Sequence, residues 1–281
     1  MSRDTLELAV AQFAPRLRAP ADNLQRIAGA APAADLVLSP ELSLTGYDVG
    51  DAVHALAVPL TAGEPLPWAL PDLHAALLVG AIEAGPQGPP YNAAVLVHEG
   101  VVRFRHRKLY LPTYGMFDEA RFFRRGTEIV PVDFGGWRLG VLVCEDFWHP
   151  GLAYVLASAG IDALLVQAAA PGRGVWEGGD DGRTFASEAA WERIARTTAQ
   201  LYGIYVALAN RTGVEGSVTF AGGSLVVGPD GSVLARAGDA EETLRVVLQR
   251  AEVLAARRPY AHVRDDDPEL VRRALEQGAR G

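Results

Sequence analysis

Thiols and amines are almost absent from this 281-residue chain. Its single cysteine, Cys144, cannot form an internal disulfide, and no Cys-X-X-Cys pair is present to bind a metal or exchange electrons. Of 26 basic residues, 25 are arginine and one, Lys108, is lysine. An ammonium is a compact point charge whereas a guanidinium is a wide planar fork, so a lone lysine indicates a position that arginine cannot fill.

Long apolar runs and clustered positive charge are also missing. The most apolar stretch, residues 151–171, is interrupted by Gly160 and Asp162, so no uninterrupted apolar span is long enough to cross a bilayer. The first residues lack the apolar segment of a secretory signal. A net charge of -8 with scattered arginines disfavours nucleic acid as a partner. We therefore expect a cytoplasmic protein with neither a membrane nor a nucleic-acid partner.

Short apolar runs alternate with stretches of helical periodicity, and no repeat is present. The pattern predicts strands at residues 6–13, 35–38, 76–82, 91–98, 101–105, 129–134, 137–143, 163–166, 205–209, 223–227, 232–235 and 243–248. It predicts helices at residues 22–31 (with Asp22 as N-cap), 151–159, 185–202 and 267–279, and a glycine-rich surface loop at residues 172–182. This mixture of hairpins and helix-linked crossovers predicts an α/β sandwich with mixed sheets and helices outside.

Cys144 follows an apolar strand and precedes a turn, where a nucleophile is exposed to substrate and lies near free backbone N–H groups. The alternative for this residue is a small buried core side chain, since free cysteine is often buried.

Two ionisable residues follow other strands. Glu41, at the end of the run Ser39-Pro40, could exchange a proton with a nearby thiol and a leaving amine; its alternative is a charge at a helix start. Lys108 lies in the basic run Arg105-His106-Arg107-Lys108, which would ordinarily be a solvated face. Because it is the only lysine, we favour a role in stabilising a thiolate or an oxyanion.

Four segments make the chain resemble the nitrilase, or carbon-nitrogen hydrolase, superfamily with its Glu-Lys-Cys triad. They are residues 40–47 (PELSLTGY), 108–119 (KLYLPTYGMFDE), 144–148 (CEDFW) and 220–224 (FAGGS). The pattern looks most like the glutaminase domain of glutamine-dependent NAD synthetase. The resemblance implies one carbon-nitrogen hydrolase domain over residues 1–281, with a core at about 4–250 and a C-terminal helical extension at 251–281. It also implies a four-layer α-β-β-α sandwich with two mixed sheets.

The resemblance further implies an amidase that needs no cofactor or metal. Cys144 would attack the amide carbon to form a thioester, and Glu41 would transfer protons. Lys108 and the backbone N–H of Glu145 would hold the oxyanion, and Glu119 would support the lysine. Ammonia would be released from a small carboxamide such as glutamine or another ω-amide. A homodimer or higher homo-oligomer is expected.

The resemblance to the glutaminase domain is less complete at the residues expected to contact the substrate. Tyr47, Tyr114 and Phe147 resemble pocket-lining residues of the glutaminase domain. Ala170 replaces a serine that usually contacts the glutamine head group, which weakens the case for glutamine. No counterpart of the ATP-dependent synthetase domain occurs in these 281 residues. We therefore expect a free-standing amidase or a separate glutaminase-like subunit that supplies ammonia to a synthetase.

Other functions fit the sequence less well. His149 could pair with Cys144 as in cysteine proteases, but the step His149-Pro150 is typical of a helix start. The six histidines show no metal-binding spacing. Nitrilases proper usually have Trp-Glu after the cysteine, whereas here Glu145-Asp146 follows it. A catalytically silent binding subunit is the remaining alternative, and the intact triad disfavours it.

Overall fold

The computed structural model describes residues 4–115, 117–175, 177–178, 185–259 and 263–278. A six-stranded sheet has the order β14-β1-β2-β3-β4-β5. Its strands are β1 (Thr5–Gln12), β2 (Leu36–Leu38), β3 (Ala76–Glu83), β4 (Tyr91–His98), β5 (Val101–Arg107) and β14 (Glu242–Gln249). Strands β1, β2 and β3 run parallel, and the remaining pairs are antiparallel.

A second six-stranded sheet has the order β13-β12-β9-β8-β7-β6. Its strands are β6 (Val132–Phe134), β7 (Trp137–Val143), β8 (Ala163–Ala168), β9 (Tyr205–Asn210), β12 (Leu225–Val227) and β13 (Val233–Arg236). Strands β7, β8 and β9 are parallel, and the outer strands join them antiparallel. A separate hairpin consists of β10 (Thr212–Glu215) and β11 (Val218–Ala221).

Seven α-helices accompany these strands in the described part of the chain. They are α1 (Pro20–Ala28), α2 (Val53–Leu56), α3 (Glu119–Phe122), α4 (Pro150–Ser158), α5 (Ala186–Tyr202), α6 (Arg250–Arg257) and α7 (Pro268–Gly278). Over the same residues, none of the helices combines the length and the apolar character that crossing a membrane requires.

The two faces of each strand explain the layers. On β1, Leu8 and Val10 pack between the sheets, whereas Ala9 and Ala11 face the opposite way and pack with Leu24 of α1. Side chains of α4 and α5, including Leu156 and Trp191, cover the outer face of the second sheet. The two mixed sheets with flanking helices confirm the predicted α-β-β-α sandwich.

Several predicted boundaries were wrong. Asp22 is not an N-cap: α1 begins at Pro20 with Ala19 before it, because the fixed φ of proline suits the first helical turn. The strand predicted at 129–134 is only Val132–Phe134. The β10–β11 hairpin was missed, since its short strands carry little apolar alternation. Part of the predicted loop at 172–182, and residue 279 of the predicted last helix, lie outside the described residues.

Strand direction brings the chemically interesting residues together. Strand β5 runs in the same direction as β2, because two antiparallel steps separate it from β3, which is parallel to β2. The C-terminal ends of β2 and β5 therefore lie at one edge of the first sheet, and those of β7 and β8 lie at one edge of the second. Gln167 links these edges, as its Nε2 donates to the carbonyl oxygens of Ser39 (2.9 Å) and Leu78 (3.0 Å).

Candidate active site

Glu41 lies in a tight turn directly after β2 and is buried. The turn passes so close to β3 that a Cβ on Gly80 would lie 2.3 Å from the nitrogen of Leu42, which explains the glycine there. Only donors surround the carboxylate in the described structure. Oε1 accepts from Asn92 Nδ2 (2.8 Å) and Lys108 Nζ (2.7 Å), and Oε2 accepts from the backbone N–H of Ala169 (3.0 Å). Such an environment holds the carboxylate in one orientation.

Cys144 ends β7 and starts a 3₁₀ helix that runs to Trp148. Its φ of +47° is unusual for a residue with a side chain and identifies a strained turn between strand and helix. The first backbone N–H groups of a helix have no helical acceptor, so the N–H of Glu145 is available to a ligand. Cys144 is buried, with 6% of the residue exposed, and it lines a cavity. These features suit a nucleophile better than an ordinary core residue.

Lys108 follows β5 and is fully buried. Its Nζ donates to Oε1 of Glu41 and to Oε1 of Glu119, each at 2.7 Å. Its backbone is also fixed, since its N–H donates to the carbonyl of Asn92 (2.9 Å) and its carbonyl accepts from Gly126 (2.8 Å). An ammonium held between two carboxylates explains why this position carries the only lysine of the chain.

Asp146 joins the lysine segment to the cysteine turn. Its Oδ1 accepts from the backbone N–H groups of Leu109 and Tyr110, each at 2.9 Å. Its Oδ2 lies 3.0 Å from His106 Nε2 and accepts from the backbone N–H of Val143 at 3.3 Å. The residue is fully buried. Asp146 thus fixes the ends of β5 and β7 relative to each other, and with them Lys108 and Cys144.

The charges of these groups act on one another. Burial raises the pKa of the Cys144 thiol well above its usual range; the negative charge of Glu41 adds to this, and Lys108 opposes it. Burial opposes the charged form of Lys108, but Glu119 and Glu41 together raise the pKa of the ammonium well above its usual value. At neutral pH the sulfur is therefore a thiol that needs a base, and the lysine is a cation.

Glu119 changes its charge near neutral pH. Burial, opposed by Lys108, raises the pKa of this carboxyl to about 7. Its Oε1 accepts from Tyr47 Oη (2.5 Å), while its buried Oε2 has no hydrogen-bond partner among the described residues. When Glu119 ionises, its negative charge raises the pKa of Cys144 further. Ionised Glu119 therefore disfavours negative charge on the sulfur.

This leads to a prediction about pH dependence. We expect kcat/KM to fall as the pH rises through about 7, because ionised Glu119 opposes the negative charge that develops during attack. The measurement is kcat/KM for a neutral amide between pH 5.5 and 9, with Glu119→Gln as the comparison. This variant cannot ionise and should lose the basic limb. A rate that instead rises through pH 7, with the same profile in Glu119→Gln, would contradict this assignment.

A cavity of about 220 Å³ opens onto Cys144. Its lining residues are Tyr114, Phe117, Cys144, Glu145, Trp148, Ala170, Pro171, Arg173, Ser187 and Trp191. Tyr114 Oη donates to Glu145 Oε2 at 2.7 Å. The cavity is smaller than the roughly 300–1,000 Å³ typical of sites for drug-sized ligands. It has the size and aromatic character for a small substrate.

Two of the predicted substrate-binding residues are placed differently. Tyr47 lines a separate cavity, where its backbone N–H is held by Glu215 Oε1 at 2.8 Å and its hydroxyl contacts Glu119. Phe147, in the 3₁₀ helix that Cys144 starts, is buried and does not line the cavity; its ring stacks on Trp191 with centroids 6.3 Å apart. Tyr114 and Ala170 do line the cavity at Cys144.

Sequence reasoning missed several residues of this site. Asn92 lies within a strand, and only the three-dimensional structure shows that its amide reaches Glu41. Asp146 was visible within the segment CEDFW, and its position two residues after the cysteine could have suggested a positioning role. Trp191 lies in the longest helix, with nothing in its surroundings to indicate that it borders the cavity.

Comparisons with known proteins show the family of this chain. The carbon-nitrogen hydrolase family model matches residues 7–258. A glutamine-dependent NAD(+) synthetase from Rhodobacter capsulatus is 35% identical over 88% of this chain and 44% of its own length, so the chain spans under half of that relative. An (R)-stereoselective amidase from Pseudomonas sp is 30% identical over 92% of this chain and 91% of its own.

One solved structure adds chemical detail. It is a variant of an amidase from Nesterenkonia sp. AN1, with the acetamide moiety of fluoroacetamide covalently added at its active-site cysteine. It superposes with a TM-score of 0.70 at 27% identity and covers 96% of this chain and 97% of its own.

Proposed function

Because the chain belongs to the carbon-nitrogen hydrolase family, a family of hydrolases acting on carbon-nitrogen bonds, we propose that it hydrolyses a small carboxamide to a carboxylic acid and ammonia. The observation that carries the proposal is the buried ion pair of Lys108 with Glu41, whose charges both act on the only cysteine. The backbone N–H of Ala169 donates to Glu41 and also approaches the sulfur of Cys144.

In the first half of the reaction, Cys144 forms a thioester. Glu41 removes the proton of the thiol while the sulfur attacks the amide carbon. The carbonyl oxygen becomes negative and is stabilised by the ammonium of Lys108 and the backbone N–H of Glu145. The carbon-nitrogen bond then breaks, and Glu41 returns the proton to the leaving nitrogen, so that ammonia departs. A base is required because the raised pKa of Cys144 keeps the free sulfur protonated.

In the second half, water replaces the departed ammonia. Glu41 takes a proton from the water, whose oxygen attacks the thioester carbon, and Lys108 again stabilises the negative oxygen. The carbon-sulfur bond breaks and the proton passes to the sulfur. The acid leaves and the enzyme returns to its starting state.

The substrate is proposed to be a small linear amide, with ω-amides first. The cavity volume of about 220 Å³ and its aromatic walls support a small substrate. In the glutaminase domain that the chain resembles, a serine hydroxyl usually contacts the head group of glutamine. Ala170 takes the place of that serine, so this contact is not available to a glutamine substrate here.

A second candidate is a glutaminase-like subunit that delivers ammonia to a synthetase. The 35% identity to a glutamine-dependent NAD(+) synthetase favours it. Such a subunit would use the same chemistry but would turn over fully only with its partner. This partner, the homodimer and the cytoplasmic location stay predictions.

Ammonia release tests the proposal. The purified chain should release ammonia from at least one member of a panel of glutamine, asparagine, deaminated glutamine analogues, N-carbamoyl amino acids and simple aliphatic amides. Cys144→Ala serves as the control and should release none. If no amide reacts until a synthetase is added, the subunit interpretation is correct. Undiminished release by Cys144→Ala would contradict the cysteine mechanism.

A further inference from the structure

One arginine lies at the mouth of the cavity that contains Cys144. Arg173 is exposed, and its guanidinium carbon lies 5.3 Å from the centre of the Phe117 ring, over the ring face. Its side chain lines the same cavity as the cysteine. Neither the triad chemistry nor the family resemblance assigns a role to this residue.

The arginine is held in place on two sides. Its backbone N–H donates to Ser187 Oγ (3.1 Å), and its carbonyl accepts from the Ser187 backbone N–H (3.0 Å), which fixes it to the start of α5. On the other side the guanidinium packs against Gly115. A Cβ on this glycine would lie 2.9 Å from Arg173 Nη2, and its φ is +64°. Glycine at 115 therefore leaves the space that the guanidinium occupies.

None of the described residues around Arg173 neutralises its charge. Among the described residues, no carboxylate lies within ion-pairing distance of its guanidinium. The other charged residue of the cavity wall, Glu145, instead accepts a hydrogen bond from Tyr114 Oη at 2.7 Å. Lys108, the cation of the triad, is already paired with Glu41 and Glu119. Of the described residues that line this cavity, Arg173 is thus the cation presented to an incoming ligand.

We propose that Arg173 binds a carboxylate at the end of the substrate remote from its amide, so that the preferred substrates are small monoamides of dicarboxylic acids. This inference rests on the proposed function, since the amide must reach Cys144. A guanidinium matches a carboxylate with two parallel hydrogen bonds, and stacking on Phe117 orients its plane. A local cation also offsets the net charge of -8, which otherwise repels an anionic substrate.

The experiment compares two amides that differ at the remote end. Glutaramate, the monoamide of glutaric acid, carries a carboxylate where pentanamide carries a methyl group. The readout is the ratio of kcat/KM for glutaramate to that for pentanamide. We expect the wild-type protein to prefer glutaramate, and Arg173→Ala to reduce the ratio roughly 10- to 100-fold, as expected for loss of a hydrogen-bonded charge. The reduction should appear mainly in KM for glutaramate.

Two further variants separate charge from geometry. Arg173→Lys keeps the charge but not the planar fork, so it should restore only part of the preference. Arg121→Ala is the matched control. Arg121 is also exposed and stacks on a phenylalanine, with its guanidinium carbon 5.2 Å from the Phe122 ring centre, but it does not line the cavity. This control should leave the ratio unchanged.

Three outcomes would overturn the inference. A wild-type protein that hydrolyses both amides equally well has no carboxylate site, and an unchanged ratio in Arg173→Ala would assign the preference elsewhere. Hydrolysis of other amides but of neither of these two would also exclude it. If no amide is hydrolysed and no adduct forms on Cys144, the proposed function itself fails, which is a distinguishable result.

Discussion

Glu41→Gln is expected to lower kcat/KM for amide hydrolysis by about 10³- to 10⁴-fold, because the neutral amide cannot accept a proton in either half of the reaction. All three described groups that contact this carboxylate are donors: Lys108, Asn92 and Ala169. In the Glu41→Gln variant, the side-chain NH₂ group of Gln would face one of these three donors. We therefore expect an accompanying loss of about 1–3 kcal/mol in the free energy of unfolding.

Steady-state kinetics and denaturant unfolding, measured on the same preparation, separate these two effects. Glu83→Gln is a matched control. Glu83 is also a buried carboxylate of the first sheet, paired with Arg105 and Arg107, but it does not touch the triad. It should lose stability and keep its activity once folded. If Glu41→Gln keeps activity within tenfold of the wild type, Glu41 is not the base.

Lys108→Arg is expected to lower kcat by at least about 10²-fold, although the charge is conserved. Lysine Nζ lies 2.7 Å from both Glu41 and Glu119 in a fully buried position. The larger planar guanidinium cannot take the place of a compact ammonium there without moving the carboxylates. Loss of one correctly placed donor to the oxyanion typically costs 10²- to 10³-fold in kcat.

Lys108→Met provides the comparison for this prediction. It removes the cation between two buried carboxylates and should cost about 3–5 kcal/mol in the free energy of unfolding, well above the cost in Lys108→Arg. Measuring kcat and the unfolding midpoint for both variants distinguishes misplacement of the charge from its loss. An arginine variant with wild-type kcat would show that the ammonium geometry is unimportant.

The sequence indicated the site residues that follow strands, and it indicated Lys108 because lysine occurs only once in the chain. Glu41 and Cys144 each follow an apolar run and Lys108 follows a predicted strand, and the C-terminal ends of like-directed strands lie at one edge of their sheet. The scarcity of lysine identified Lys108, and its complete burial between carboxylates gives the physical reason.

The rest depended on side-chain direction, which one sequence does not contain. Phe147 was expected in the substrate wall, but it is buried and does not line the cavity; it stacks on Trp191, which does. Glu215 holds the segment of Tyr47 from a hairpin that lacks a strong strand pattern. Such long-range contacts become visible only when the two sheets are packed together.

The covalent intermediate tests the central claim most directly. During turnover of an amide that the protein hydrolyses, an acid-quenched sample should show a population heavier than the free protein by the mass of the substrate minus ammonia. Peptide mapping should place this acyl group on Cys144, the only thiol of the chain. The adduct should be absent in Cys144→Ala. Turnover without any acyl group on Cys144, or continued turnover by Cys144→Ala, would contradict the account.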